Sequence, residues 1–410
     1  MRIAVISPFV DRRHGTERAV AELIERLAEA NGDEVDLYAQ RVSDVRNLAG
    51  PGGPGVEKPG VEKKVRWRRV ASIPGPLLVG FPGWLWLNRR ARRRDARRGT
   101  RADVVFSPGI NALDADVILV HAVFHRLAEL QSSPGPVHLR GLHRRLYYAL
   151  LCRLERRIYG DPLVTLAAVS KRTAGQLKKY FGRDDVTVIP NGVDSTEFSP
   201  AATAALRETA RSERRIPPEE IVLQLIGNDW RNKGLAVLIA AIARSKDLPL
   251  RLLVAGEDAP GPFRAQAALA GMRRRVEFCA PVSDVRQLYA AADILVAPSL
   301  EDSFNLPVLE AMACGLPVIA SPVAGVSEWL TNGFDALLLK NPADAGELAD
   351  AIRLLATSKQ LRSTLAENAI ATARKFSWDE HAAELRRLME QAASKNRLAG
   401  GRTIRTPRRD

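Results

Sequence analysis

Two carboxylates, Asp302 and Glu310, are separated by seven intervening residues in "EDSFNLPVLEAMACGLPVIAS" (Glu301–Ser321), at either end of a loop that Pro307 closes. Proline suits the first position of a helix, where its missing N–H costs nothing. Backbone N–H groups around Asn305 and Leu306 would then point out of a positive helix end, which is a seat for phosphate. Glu310, expected in the first turn, offers two acceptor oxygens to a vicinal diol such as a ribose. Asp302 is placed to accept hydrogen bonds from the hydroxyls of a second sugar. Read singly, Glu310 is a dipole partner and Asp302 a turn residue.

A second constellation lies in "LIGNDWRNKGLAVLIAAI" (Leu225–Ile242). A strand ends at Gly227, a polar turn follows, and Lys233-Gly234 opens a helix. The Gly227-to-Lys233 spacing is not a Walker A loop, which needs Gly-Lys followed by Ser or Thr. Arg231 and Lys233 nevertheless sit at the carboxyl end of a strand, where they would clamp a diphosphate. A solvated basic turn accounts for them equally well when the motif stands alone.

Weaker signals come from the first third of the chain. Gly15 in "SPFVDRRHGTERAV" occupies a strand-to-helix turn and permits close backbone approach, with Glu17 suited to the first helical turn. His121 ends the apolar run of "VILVHAVFHR", and His125 reads as a helix or loop residue. Neither has the Glu-x-x-His partner of a zinc site, and "DAD" (Asp114–Asp116) precedes its strand, so no metal site is expected. No nucleophile elbow appears.

The elements that must position these residues alternate between short β-branched runs and amphipathic stretches, the pattern of parallel sheets wrapped by helices. "RIAVIS", "EVDLYAQ", "ADVVFS", "DVILVHAVF", "LVTLAAVS" and "VTVIPNGVD" form one series, with a long basic helix from His138 to Tyr159. "EIVLQLIG", "LRLLVAG", "RVEFCA", "DILVAPS", "LPVIAS" and "DALLL" form a second. Two such series predict an α/β protein of two doubly wound domains facing across a cleft, over 1–195 and 216–376, with ligands outside the carboxyl ends of the strands. The stretch after Asp194 carries no strand signal and is read as the boundary. "GPGGPGVEKPG" (Gly50–Gly60) is read as a loop, and 396–410 as a disordered basic tail.

The 410 residues suffice for two cores without staples. Cys152, Cys279 and Cys314 lie far apart in apolar runs, like thiols of a reducing compartment. The N-terminus lacks the form of a secretory signal and no apolar window would span a bilayer, so a cytoplasmic protein is expected. Nearly all of the formal charge of +14 accumulates between Pro51 and Arg157. Such a block is either a solvated face or a surface for an anionic partner.

Taken together, these segments resemble the retaining glycosyltransferases of GT-B fold, specifically glycosyltransferase family 4. "PSLEDSFNLPVLEAMACGLPVIAS" is similar to the family's acid-x7-acid segment, and "GNDWRNKG" to its phosphate clamp. "AAVSKRTAGQLKKYF" with "VTVIPNGVDSTEF" resembles the segment before the interdomain linker. "FSWDEHAAELRRLME" resembles the final helix, placed here at 377–394, which in the family completes the N-terminal domain.

The resemblance implies a nucleotide-sugar donor in the C-terminal domain and a glycan or glycolipid acceptor in the N-terminal one. It gives Glu310 the ribose, the N–H groups of Ser303, Phe304, Asn305 and Leu306 the donor sugar and diphosphate, and Lys233 the leaving phosphate. Gly15 matches one glycine of the first-loop pair, and His121 falls near a histidine beside the reacting sugar. Three positions depart from the pattern: Asp302 replaces the first Glu, Asn228 stands at the clamp arginine with Arg231 three residues on, and His14 replaces the other first-loop glycine.

A cation and a helix N-terminus aimed at a departing diphosphate stabilise the transition state more than the ground state. The expected reaction therefore needs no cofactor or metal, and no protein base is nominated. "PLLVGFPGWLWLNRRARRRDARR" (Pro76–Arg98) sets Trp84 and Trp86 beside Arg89–Arg98. It reads as an anchor on an anionic membrane surface or as a core helix end with a solvated face. "GNDWRNKG" and "VAGEDAP" resemble enzymes of lipopolysaccharide core assembly, and that resemblance makes a lipid-linked glycan the leading acceptor. The rivals are a non-catalytic nucleic-acid binder, which lacks a motif here, and a glycan phosphorylase, which would need a cofactor lysine that cannot be located.

Overall fold

The computed structural model describes residues 1–30, 32–46, 48–49, 65–130, 139–280, 282 and 284–398. The loop expected over Gly50–Gly60 lies outside them. The chain divides into two compact units, Met1–Pro190 with Trp378–Asp410, and Asn191–Ser377.

The first unit is built on an eight-stranded parallel sheet in the order Thr187–Val188, Thr165–Ala168, Val117–Val120, Val104–Pro108, Arg2–Ile6, Glu34–Ala39, Val65–Arg69, Leu48–Ala49. Central strands such as Val117–Val120 are buried at every residue. That is why they read as unbroken apolar runs instead of alternating ones. Helices Gly15–Ala30, Leu77–Arg97 and Leu139–Tyr159 belong to this unit. The helix Trp378–Leu398 packs in it too, with Arg26 Nε 2.6 Å from Asp379 and Arg386 Nε 2.7 Å from Asp33. This helix reaches beyond Asn396, so the first residues assigned to a disordered tail are helical. The rest of the tail lies outside the described residues.

Val65–Arg69 is a strand that the sequence reading missed. Its arginines defeat the apolar criterion. Charge matching across the edge sustains it, since Arg68 donates to Asp36 at 2.9 Å and Arg66 pairs with Glu34.

The second unit holds a six-stranded parallel sheet in the order Val276–Phe278, Leu250–Ala255, Ile221–Ile226, Ile294–Ala297, Val318–Ala320, Leu337–Leu338. In chain order these strands run 3-2-1-4-5-6, the dinucleotide-fold arrangement. Its direction reverses between Ile221–Ile226 and Ile294–Ala297, which makes that gap the switch point where ligands bind. Leu223, Leu252, Val254, Ile294 and Val296 share one core with helix Leu235–Ala243. The stretch read as the boundary forms helix Pro200–Glu213 of this unit. Arg207 and Arg211 pin it to Asp293 at 2.5 and 3.1 Å.

Candidate donor site

The segments after the two switch-point strands carry the residues singled out in the sequence, and they are tied to each other. Asn232 Nδ2 donates to the Glu301 carbonyl at 2.6 Å, and Leu300 N–H donates to the Asn232 carbonyl at 2.7 Å. Gly234 adopts φ 76°, and a Cβ there would lie 2.2 Å from the Pro298 carbonyl oxygen. Only glycine permits this approach of backbone to backbone. The result brings Lys233 to Asp302, with Nζ 2.7 Å from Oδ2.

Asp302 therefore meets the clamp lysine directly. Its other oxygen accepts the Phe304 N–H at 3.2 Å, and Ser299 Oγ lies 3.4 Å from Oδ2. The carboxylate thus satisfies two donors, a lysine and a loop N–H, that the sequence reading assigned to the diphosphate and donor sugar. Asn305 caps helix Leu306–Ala313 at φ 75°, with Pro307 in the first turn. Its amide donates to Ser299 Oγ at 3.3 Å, while its buried Oδ1 has no hydrogen-bond partner among the described residues. Phe304 and Leu306 bury their side chains, so neither side chain is available to a ligand. Ser303 lies half-buried in the same loop.

Glu310 is the fifth helical residue, just past the first turn expected for it. It is 5% exposed, and its Oε2 accepts the Tyr289 hydroxyl at 2.6 Å. Tyr289, held edge-on by Phe198 at 5.9 Å, was missed because it reads as one more apolar residue of "RQLYAAADIL". A buried carboxylate needs partners, and that requirement alone could have pointed to it.

Arg231 is exposed and its side chain makes no ion pair among the described residues, so the structure does not hold it at the clamp. Asn228 Oδ1 instead accepts the Glu257 N–H at 2.8 Å, joining the ends of two neighbouring strands.

In the first unit, Gly15 is an exposed residue opening its helix. His14 packs its ring Nδ1 2.9 Å from Asp11. Burial would raise the Asp11 pKa, but the His14 side chain and the N–H groups of Arg13 and His14 hold it below the usual range. His121 is buried directly after strand Val117–Val120. His125 serves structure: Glu155 accepts its ring Nδ1–H at 2.7 Å and the N–H groups of Phe124 and His125 at 2.7 and 3.0 Å. Cys152 lies beside this pair, its sulfur within 4.8 Å of ligand atoms of both. Glu155 is nonetheless already occupied as a cap.

Trp84 and Trp86 part ways. Trp84 is 2% exposed and donates Nε1–H to the Asn111 carbonyl at 3.1 Å, so it is core and not an anchor. Trp86 is 57% exposed, with the Arg90 guanidinium 5.3 Å from its ring centre. Arg89 and Arg92 turn toward Asp114, at 3.6 and 2.5 Å. No described helix is long and apolar enough to cross a membrane.

Family profiles match both units: "Glycosyltransferase Family 4" over residues 13–197 and "Glycosyl transferases group 1" over residues 220–358. A D-inositol 3-phosphate glycosyltransferase of Pseudarthrobacter chlorophenolicus is 30% identical over 391 residues, 89% of this chain and 87% of its own. The chain belongs to glycosyltransferase family 4. A protein of the same name from Corynebacterium glutamicum is 33% identical over 262 residues, 60% of this chain. The match spans 62% of that relative's length. The fold is that of WaaG, a glycosyltransferase involved in lipopolysaccharide biosynthesis (TM-score 0.73, 22% identity, 97% of this chain and all of that one). It is also that of Anabaena HepE, solved with UDP-glucose (TM-score 0.70, 18% identity, 95% of this chain and all of that one). The GT-B fold expected from the sequence is the fold observed.

Proposed function

We propose that this family 4 protein transfers a sugar, with retention of configuration, from a nucleotide-diphosphate donor to a glycan or glycolipid. The observation that carries the reading is the convergence of Lys233, Asp302 and the Asn305-capped helix end at the switch point of the second sheet. Anionic charge grows on the leaving diphosphate as the sugar departs. Lys233 and the N–H groups of Ser303, Asn305 and Leu306 meet that charge where it develops, while the Phe304 N–H is held by Asp302. Glu310, fixed by Tyr289, takes the ribose diol, and Asp302 the transferred sugar. Arg231 reaches the site only by moving from its exposed position. In the first unit the candidate residues are Gly15, for close backbone approach to a substrate, and His121, which the family resemblance assigns to the reacting sugar.

For the acceptor, a lipid-linked glycan of the cell envelope fits a cytoplasmic enzyme docking peripherally through Trp86 and the exposed arginines of helix Leu77–Arg97. A second reading, a phosphorylated cyclitol, is favoured by the relatives named for D-inositol 3-phosphate, one of them matched along most of the chain.

A screen of nucleotide sugars for release of nucleoside diphosphate tests the donor half. Adding D-inositol 3-phosphate or a lipid-linked glycan then shows which one accelerates release. Hydrolysis of no nucleotide sugar, with or without acceptors, would overturn the reading.

A further inference from the structure

Helix Leu77–Arg97 turns one arginine-bearing side toward a cavity of about 320 Å³ inside the first unit. Small-ligand sites occupy roughly 300 to 1,000 Å³, so the space suits a compact ligand. Arg89, Arg92, Arg93, Arg101 and Arg397 line it, with Thr100 at its edge. The cavity lies at the amino ends of strands Val104–Pro108 and Val117–Val120, since Ala102, Asp103 and Asp116 also border it. Gly15 follows the carboxyl end of the neighbouring strand Arg2–Ile6, so this cavity is at the opposite edge of the sheet.

Three carboxylates share the lining, and each already has work. Asp103 accepts the Arg2 N–H at 2.8 Å, and Asp116 accepts the Val105 N–H at 2.9 Å. Asp114 faces Arg89 and Arg92 together. Arg93 makes no ion pair with any described residue, and its Nε, enclosed from solvent, has no hydrogen-bond partner among them. Burial holds the Arg89 guanidinium below its usual pKa; Asp114 opposes this, and the charges of Arg93, Arg92 and Arg157 add to it. Like charges gathered in a partly enclosed space call for a counterion, and guanidinium groups are matched in shape and donors to phosphate oxygens.

We propose that this arginine-lined cavity is a second anion site, binding a phosphate group through Arg93 with Arg89, Arg101 and Arg397. The cavity is lined wholly by the first unit, whereas the donor diphosphate is proposed for Lys233 of the second. The proposal therefore stands whether or not the reading of the donor site is correct.

Equilibrium dialysis of the full chain with labelled inorganic pyrophosphate tests it. Two classes of binding are expected, one lost in Lys233→Ala and the other in Arg93→Gln. Removing a charge-assisted contact should weaken the second class at least about tenfold while leaving donor hydrolysis unchanged. Arg397→Gln, at the exposed last described turn of its helix, should weaken the same class without risk to folding. Vesicles of phosphatidic acid then locate the phosphate. Competition for the Arg93-dependent class assigns it to a lipid headgroup, and lack of competition assigns it to a soluble phosphate. Pyrophosphate binding that both arginine variants leave unchanged would overturn the proposal.

Discussion

Lys233 Nζ and Asp302 Oδ2 lie 2.7 Å apart, each more than four-fifths buried. The two residues come from the loops after the two strands that flank the switch point, so their meeting follows from the sheet order. On the proposed donor reading, an incoming diphosphate has to compete with the Asp302 carboxylate for the Lys233 ammonium. The carboxylate also orients that ammonium.

If Lys233 meets the leaving phosphate as proposed, Lys233→Ala should lower kcat more than it raises KM for the donor, since that charge grows during reaction. Asp302→Asn should act in the opposite sense on the ground state. Without its carboxylate competitor, the lysine should bind nucleoside diphosphate several-fold tighter, while turnover falls because the transferred sugar loses its acceptor. Calorimetry with nucleoside diphosphate beside steady-state kinetics separates the two effects. Weaker nucleotide binding by Asp302→Asn would show that the ion pair positions the lysine more than it blocks it.

Glu310 and Tyr289 make a second pair, joined at 2.6 Å. Glu310→Gln should weaken nucleoside diphosphate binding by on the order of 1 kcal/mol or more, through loss of charge-assisted bonds to the ribose. Tyr289→Phe leaves the carboxylate in place and removes only its buried donor. A smaller loss of the same kind is expected, appearing in KM with kcat preserved. Equal, large losses of kcat in Tyr289→Phe would give the hydroxyl a part in the reaction itself.

Gly234→Ala should cost at least about 2 kcal/mol of stability, because alanine is strained at positive φ and its methyl meets the Pro298 carbonyl. Pro298 leads directly into the loop of Asp302. The variant should therefore lose donor binding at temperatures where it remains folded, as denaturation and calorimetry on the same sample would reveal.

The exposed arginine face proposed for membrane docking is narrower than the arginine-rich sequence implies. Arg90→Glu with Arg97→Glu and Arg98→Glu changes only exposed positions and should abolish sedimentation with anionic vesicles at low salt. Arg92→Glu should instead lower the melting temperature, since it sets a like charge against buried Asp114. Vesicle binding that survives the triple substitution would remove this face from the acceptor reading.

What the sequence made legible follows from which forces act locally. Strands buried on both faces print themselves as apolar runs, and Pro307 and Lys233-Gly234 mark helix starts by backbone chemistry alone. Val65–Arg69 stayed hidden because its strand character comes from partners, Glu34 and Asp36, on a neighbouring strand. The basic block could not be divided from sequence into the Asp114-facing Arg92 and the outward Arg90, since that depends on the rotation of one helix. Tyr289 and the Lys233–Asp302 contact depend on tertiary approach in the same way.

His381 extends the reasoning to pH. It sits in the first turns of helix Trp378–Leu398, fully buried, with Nδ1–H donating to the Pro190 carbonyl at 2.8 Å and its ring edge-on to Trp378. Burial pushes its pKa down to about 4; the Pro190 bond and Glu22 oppose this, and Arg26 reinforces it. A neutral histidine is thus required in the folded chain, while the unfolded chain takes up a proton near pH 6.5. Between these values the unfolded state binds more protons, so stability rises with pH and is lost on acidification from 6.5 toward 4. The full effect is on the order of 3 kcal/mol. Urea denaturation at steps across this range should show the slope. His381→Gln, which keeps an N–H donor but cannot titrate, should flatten it at some cost in stability at neutral pH. An unchanged slope in His381→Gln would mean that other groups govern acid sensitivity and that His381 titrates alike in both states.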